Sequence, residues 1–184
     1  MIIKSKQESI LDTATSLFSQ FGYNEVGIDR IIAESNIAKM TLYKYFPSKE
    51  ILIEKVLLRR DNELRISILD CVNKNKLPLK KLKAIFDWYE EWFKSPQFHG
   101  CMFIKASEEF FDKSSNIRQI SQNHKVWLTE LISSILHENG TASPDKLALY
   151  LMVILDGLTV TSNMFESSSI NQTNIVWNYV KHLI

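Results

Sequence analysis

The sequence predicts an all-α chain of about nine helices, and three observations carry that reading. Apolar residues recur at three- and four-residue spacing in nearly every segment, as in Ile10, Ala14, Leu17, Phe18 and Phe21. The breaks between segments are helix punctuation: Gly22, Pro47-Ser48, Pro78, Asn139-Gly140 and Ser143-Pro144. No stretch alternates apolar and polar residues in the manner of a strand. At 184 residues and 45% apolar content, the chain has the length and composition to bury a sizeable core.

Each segment follows from its own residues. Glu8 to Phe21 forms the first helix, and Gly22 supplies its stop. Ile28, Ile31 and Ile32 make the inner face of a short second helix ending near Ser35. Asn36 suits the turn, because it visits positive φ more readily than other residues with a side chain. The third helix, about Lys39 to Tyr45, buries Leu42 and Phe46. Ser48 is the expected N-cap of a long helix from Lys49 to about Val72 that contains neither Gly nor Pro, with Glu50 in its first turn. Asn73 to Lys76 is a polar break. Pro78 opens a helix whose stripe of Leu82, Ile85, Phe86, Tyr89, Trp92 and Phe93 is unusually aromatic. After an interruption at Ser95 to Gly100, a short helix is expected from Cys101 to Phe111, then a loop at Asp112 to Ser115. A long amphipathic helix follows through Ile117, Ile120, His124, Trp127, Leu128, Leu131 and Ile135. Ser143-Pro144-Asp145 opens a helix to about Phe165, Ser167 to Asn171 is read as a loop, and Ile175, Val176, Tyr179, Val180 and Leu183 stripe the last helix.

Composition narrows the function classes. No continuous apolar run is read as crossing a bilayer, and no signal-peptide core follows Met1, so a cytoplasmic globular protein is expected. Cys71 and Cys101 are far apart, which fits free thiols in a reducing compartment. No phosphate loop, nucleophile elbow or zinc-hydrolase motif is present, and His99 with Cys101 lacks further residues at metal-ligand spacing. The expectation is a non-enzyme with no metal and no cofactor.

Net charge is only +1, but its distribution is informative. Asn36 to Lys49 holds Lys39, Lys44 and Lys49 and no carboxylate. The third helix leaves Thr41, Tyr43 and Lys44 free to face outward together, and hydroxyl, phenol and ammonium groups suit phosphate oxygens and groove edges. Two short helices around a tight turn, the second basic and free of acids, predict a helix-turn-helix that reads DNA. Two core helices of a bundle would show the same apolar spacing, but would not need these three polar groups together with Lys49 at the start of the next helix.

The segment resembles the DNA-binding domain of the TetR (tetracycline repressor) family of bacterial regulators. The resemblance rests on Ile10-Leu11-Asp12-Thr13-Ala14, Leu17-Phe18, Phe21-Gly22-Tyr23, Ile28-Asp29-Arg30-Ile31 and Asn36-Ile37-Ala38-Lys39, and above all on Thr41-Leu42-Tyr43-Lys44-Tyr45-Phe46-Pro47-Ser48-Lys49-Glu50. It covers roughly residues 5–55. Gly100 to Ile104 with Glu108-Glu109 looks like the regulatory domain of one branch of the family. The chain departs from the family pattern at Val26-Gly27, at Ala38 and at Met40, where hydroxyl residues, serine, and glycine or proline are usual. The resemblance implies that Lys39, Met40, Thr41 and Lys44 approach bases or adjoining backbone, that Tyr43, Tyr45 and Lys49 contact phosphates, and that Arg30 is a further phosphate contact. It also implies a DNA-binding domain over residues 1–48 and an effector-binding and dimerising domain over 49–184, with helix 49–72 as connector.

Two features beyond Ile51 extend this expectation. The aromatic stripe is either core or the wall of a pocket for an apolar or aromatic effector; the candidate lining is Trp88, Tyr89, Trp92, Phe98, Phe103, Ser107, His124 and Trp127. The helix from Pro144 is apolar over most of its circumference from Leu147 to Val160, so part of it is expected to meet a second subunit. The candidate interface is Leu151, Ile154, Leu155, Leu158, Val176, Tyr179 and Val180. The expected partners are a palindromic double-stranded DNA operator, a small-molecule effector and a second copy of the chain, and the expected role is a ligand-released repressor. Alternatives are an effector-independent architectural DNA-binding protein, a regulator sensing thiol chemistry through Cys101, and a helical enzyme or lipid carrier with a vestigial N-terminal unit.

Overall fold

The computed structural model describes residues 5–165 and 172–184, so the expected loop at Ser167 to Asn171 falls outside the described residues except for its neighbours. Among the described residues there are nine helices and no strand.

The first helix, α1 (Lys6–Phe21), starts on a reciprocal cap: the Ser5 hydroxyl accepts the Glu8 amide at 3.2 Å, and the Glu8 carboxylate accepts the Ser5 amide at 3.1 Å. It buries Ile10, Ala14, Leu17 and Phe18. Phe21, expected on the same face, is 41% exposed. Its ring instead lies beneath the Arg30 guanidinium, 4.0 Å from the ring centre. Tyr23 and Val26, in the turn after α1, take the buried place. Next come α2 (Ile28–Ser35) and α3 (Lys39–Tyr45), joined through Asn36 in the left-handed conformation, with φ 53° and ψ 40°. These three helices pack on one another through Ile10, Ala14, Phe18, Ile31 and Leu42, all of them inaccessible to solvent.

Ser48 caps α4 (Lys49–Asn73), accepting the Ile51 amide at 3.2 Å. Hydrogen bonds from its own backbone amide and from Ser48 hold the Glu50 carboxyl below the usual carboxylate range. The remaining helices are α5 (Pro78–Lys94), α6 (Met102–Glu109), α7 (Asn116–Glu138), α8 (Pro144–Met164) and α9 (Gln172–Val180).

Packing divides the chain into two compact units, one built from residues up to Asn62 with Cys101–Gln122, the other from Glu63–Gly100 with Asn123–Ile184. The division does not follow the expected boundary between residues 48 and 49. Hydrogen bonds explain why α6 belongs with the N-terminal helices. The Glu109 carboxylate accepts the amides of Tyr23 at 2.9 Å and Asn24 at 2.6 Å. The Tyr23 hydroxyl donates to the Met102 carbonyl at 2.9 Å, and the Lys105 ammonium donates to the Ser19 carbonyl at 2.6 Å. Burial raises the Tyr23 phenol well above its ordinary value and lowers the Lys105 ammonium from its own.

The second unit has its own core, in which Phe86, Tyr89, Phe93, Leu128, Ile132, Leu151, Leu155 and Trp177 are buried. Its α5 packs against both α8 and α9, with Phe86 and Trp177 ring centres 5.2 Å apart. This core corrects the phase expected for α8. Leu151, Leu155, Leu158 and Val180 are buried within the chain itself, while Ile154 and Val176 pack half-buried against them. Of the seven candidate interface residues only Tyr179 is freely exposed, at 76%. On α8 the uncovered apolar side chains are Leu149, Tyr150, Val153, Val160 and Met164. A helix apolar all round carries no phase information in its sequence, and the packing partner chooses which side is inner.

By length and composition α8 is apolar enough to cross a membrane, contrary to the sequence expectation. Its inner side is engaged in the core just described, and Asp156 within it pairs with Lys125 of α7.

Candidate nucleic-acid interface

The short helix α3 has one inward anchor, Leu42, and it is followed by the buried Phe46. Those anchors fix the direction of every other side chain on the helix. Lys39, Met40, Thr41, Tyr43 and Lys44 line one shared depression on the protein surface. Met40 is 86% exposed, and Tyr43, Lys44 and Tyr45 are exposed while Thr41 is half-buried. Both helix entries lack a side-chain cap, α2 at Gly27 and α3 at Ala38, as the departures from the family pattern imply. At the start of α3 the amides of Thr41 and Leu42 donate instead to the Ala38 carbonyl, at 2.8 and 3.2 Å.

The cations are tied down to different degrees. Lys39 donates to the Asp29 carboxylate at 3.1 Å, which raises its ammonium above the ordinary value. Arg30 is held by Glu34 at 2.8 Å as well as over Phe21. Lys49 is half-buried and reaches the Asn24 carbonyl only at the long distance of 3.5 Å. Sequence reasoning missed Asp29 and Glu34 as partners. The Arg30–Glu34 pair has the four-residue helical spacing that could have shown it, whereas Asp29 and Lys39 sit on different helices ten positions apart. Glu109, which holds the turn between α1 and α2, is 85 and 86 residues away from its partners, and no local signal marks it.

The candidate effector residues do not fall in one unit. Phe103 and Ser107 belong to the unit that contains α1 to α3; Trp88, Tyr89, Trp92, Phe98, His124 and Trp127 belong to the other. In that second unit the aromatics form a continuous cluster. Trp88 and Trp92 ring centres are 5.5 Å apart, Trp92 and Phe98 4.9 Å, and Tyr89 and Trp92 5.8 Å. Tyr89 and His124 are buried, and Trp88, Trp92, Phe98 and Trp127 are half-buried against the core. The Trp88 indole donates to the Ser67 hydroxyl at 2.8 Å, and Arg65 lies over the Trp127 ring at 4.8 Å. Phe103 is buried, and the Ser107 hydroxyl is spent on the Phe103 carbonyl at 3.0 Å. Cys101 is a free, buried thiol immediately before α6. Among the described residues no group of three His, Cys, Asp or Glu side chains is arranged to hold a metal ion.

Comparison with known proteins gives the arrangement a context. Residues 10–56 match the model of the bacterial regulatory proteins of the tetR family. The chain is 37% identical over 124 residues to YuxN, an HTH-type transcriptional regulator of Bacillus subtilis (strain 168), a span of 65% of this chain and 43% of that protein. It is 42% identical over 131 residues to YxaF, another HTH-type transcriptional regulator of that strain, covering 71% of this chain and 59% of the relative. The matched span is thus less than two thirds of the length of either relative. The crystal structure of SCO4454, a TetR-family transcriptional regulator from Streptomyces coelicolor, has the same fold, with a TM-score of 0.86 at 24% identity over 96% of this chain and 90% of that one.

Proposed function

Since the chain belongs to the TetR family of bacterial regulatory proteins, we propose that it is a transcription regulator that docks α3 in the major groove of double-stranded DNA. The observation that carries this is the outward face of α3, where Lys39, Met40, Thr41, Tyr43 and Lys44 share one surface while Leu42 alone anchors the helix. Tyr43, Tyr45, Lys44 and Lys49 supply donors for phosphates, and Lys39, Met40 and Thr41, at the start of the helix, face base edges.

A homodimer is the working form in this reading. Leu149, Val153, Val160 and Met164 run down one side of α8, with Gly157 among them and open space where its Cβ would stand. With Ile175, Tyr179 and Leu183 they make an apolar surface suited to a two-fold partner, since an isologous interface uses the same patch twice. Two recognition helices so related reach successive major grooves roughly 34–36 Å apart. The chain then acts as a cytoplasmic, cofactor-free repressor and not as an enzyme. An apolar or aromatic effector wedged against Trp88, Trp92 and Phe98 releases it by favouring a different spacing.

The test is selection of duplexes from a random-sequence pool by the full chain, followed by titration at physiological salt. A palindromic consensus is expected, and Tyr43→Ala with Lys44→Ala should lower affinity at least tenfold. Binding indifferent to both substitutions ends the proposal. For the effector, Trp92→Ala should alter release by an aromatic ligand while leaving unliganded DNA binding intact; loss of DNA binding instead makes the stripe core alone.

A further inference from the structure

Resting on the DNA-binding reading above, we propose that Met40 reads the C5-methyl group of thymine, so that each operator half-site carries a T·A pair at the Met40 contact. Met40 is 86% exposed, more than any other large apolar side chain among the described residues. It is the second residue of α3, on the same surface as Lys39, Thr41, Tyr43 and Lys44. An unbranched thioether held in water gains free energy only by meeting apolar surface, and it adapts readily to the shape it meets. In the major groove the thymine methyl is the apolar group that a side chain can meet, and it distinguishes T·A from every other pair.

The rest of the helix strengthens the assignment. The α3 sequence, Lys39-Met40-Thr41-Leu42-Tyr43-Lys44-Tyr45, contains no Arg, Asn or Gln, so the groups it has for gripping a purine edge are the ammoniums of Lys39 and Lys44. Lys39 is a single point charge already engaged by Asp29 at 3.1 Å. Beside the guanine contact open to Lys44, methyl contact by Met40 is the direct readout this helix offers, and Thr41 next to it can extend that contact with its own methyl group. Ala38, which precedes the helix, has no side chain beyond Cβ and so adds no bulk of its own beside Met40.

The experiment uses the full chain and the palindrome it selects. Each thymine is replaced in both half-sites by deoxyuridine, which removes the methyl and keeps the hydrogen-bonding edge. At one position the exchange should weaken binding about fourfold per half-site, the worth of one buried methyl, or roughly fifteenfold for the dimer. Met40→Ala should abolish that sensitivity, and Met40→Leu should keep most of it. Wild-type indifference to deoxyuridine at every position overturns the proposal, as does undiminished sensitivity in Met40→Ala. Failure to select any sequence overturns instead the DNA-binding reading on which it rests. Matching thermal melts of the two variants and wild type separate a lost contact from a lost fold.

Discussion

Glu109 holds the backbone amide of Tyr23 at 2.9 Å with one carboxylate oxygen and that of Asn24 at 2.6 Å with the other. Gly22 makes the approach possible: a Cβ there would stand 2.8 Å from the nearer Glu109 oxygen. The same glycine has φ 84° and ψ 172°, a conformation open essentially to glycine alone. Gly22→Ala should therefore cost about 1–3 kcal/mol, and Glu109→Ala about 1–2 kcal/mol for the charged hydrogen bonds lost at a half-buried site. Urea unfolding of the double variant should show less than the sum, because either change alone already loosens the same contact.

Tyr23 gives a pH dependence with a definite sign. Burial raises its phenol above the reference value of 10.0, so the folded chain keeps a proton that the unfolded chain releases. Its contribution to stability is whole below about pH 10 and is lost as pH rises beyond it. Tyr23→Phe should cost about 1 kcal/mol at neutral pH by deleting the bond to the Met102 carbonyl. It should also flatten the alkaline fall; an unchanged alkaline slope would assign that fall to other groups.

The two sides of α8 should respond differently to substitution. Val153 is 70% exposed, so Val153→Glu should leave a folded chain that sediments as a monomer at micromolar concentration. Leu155 is inaccessible, so Leu155→Ala should cost about 2–5 kcal/mol in unfolding experiments. A Val153→Glu protein that still sediments as a dimer rules out this face as the interface.

Asp29 should restrain DNA affinity. Asp29→Asn frees Lys39 and removes a negative charge that would meet the phosphates, so non-specific duplex binding at low salt should tighten several-fold. The slope of log affinity against log salt should steepen by about one if Lys39 then neutralises a phosphate. An unchanged slope would place Lys39 away from the backbone.

The helices themselves were legible because their signals are local. Ser48 and Asn36 play the roles their chemistry predicts, and Leu42 and Phe46 are buried as their spacing requires. Phe21 was misread because its spacing is that of a core residue, while the cation that covers it comes from α2. The candidate interface on α8 was misread because Leu147 to Val160 offers no polar side to set the phase.

The sequence by itself determined the number and type of helices, the turn at Asn36 and the chemistry available on α3, since each depends on residues within a few positions of one another. Only the tertiary structure decided that Asp29 engages Lys39, that α6 is bound to the turn at Tyr23 through Glu109, and which side of α8 is left uncovered. Those are choices among partners distant in the chain, and hydrogen bonds and apolar burial make them only once the chain has closed on itself.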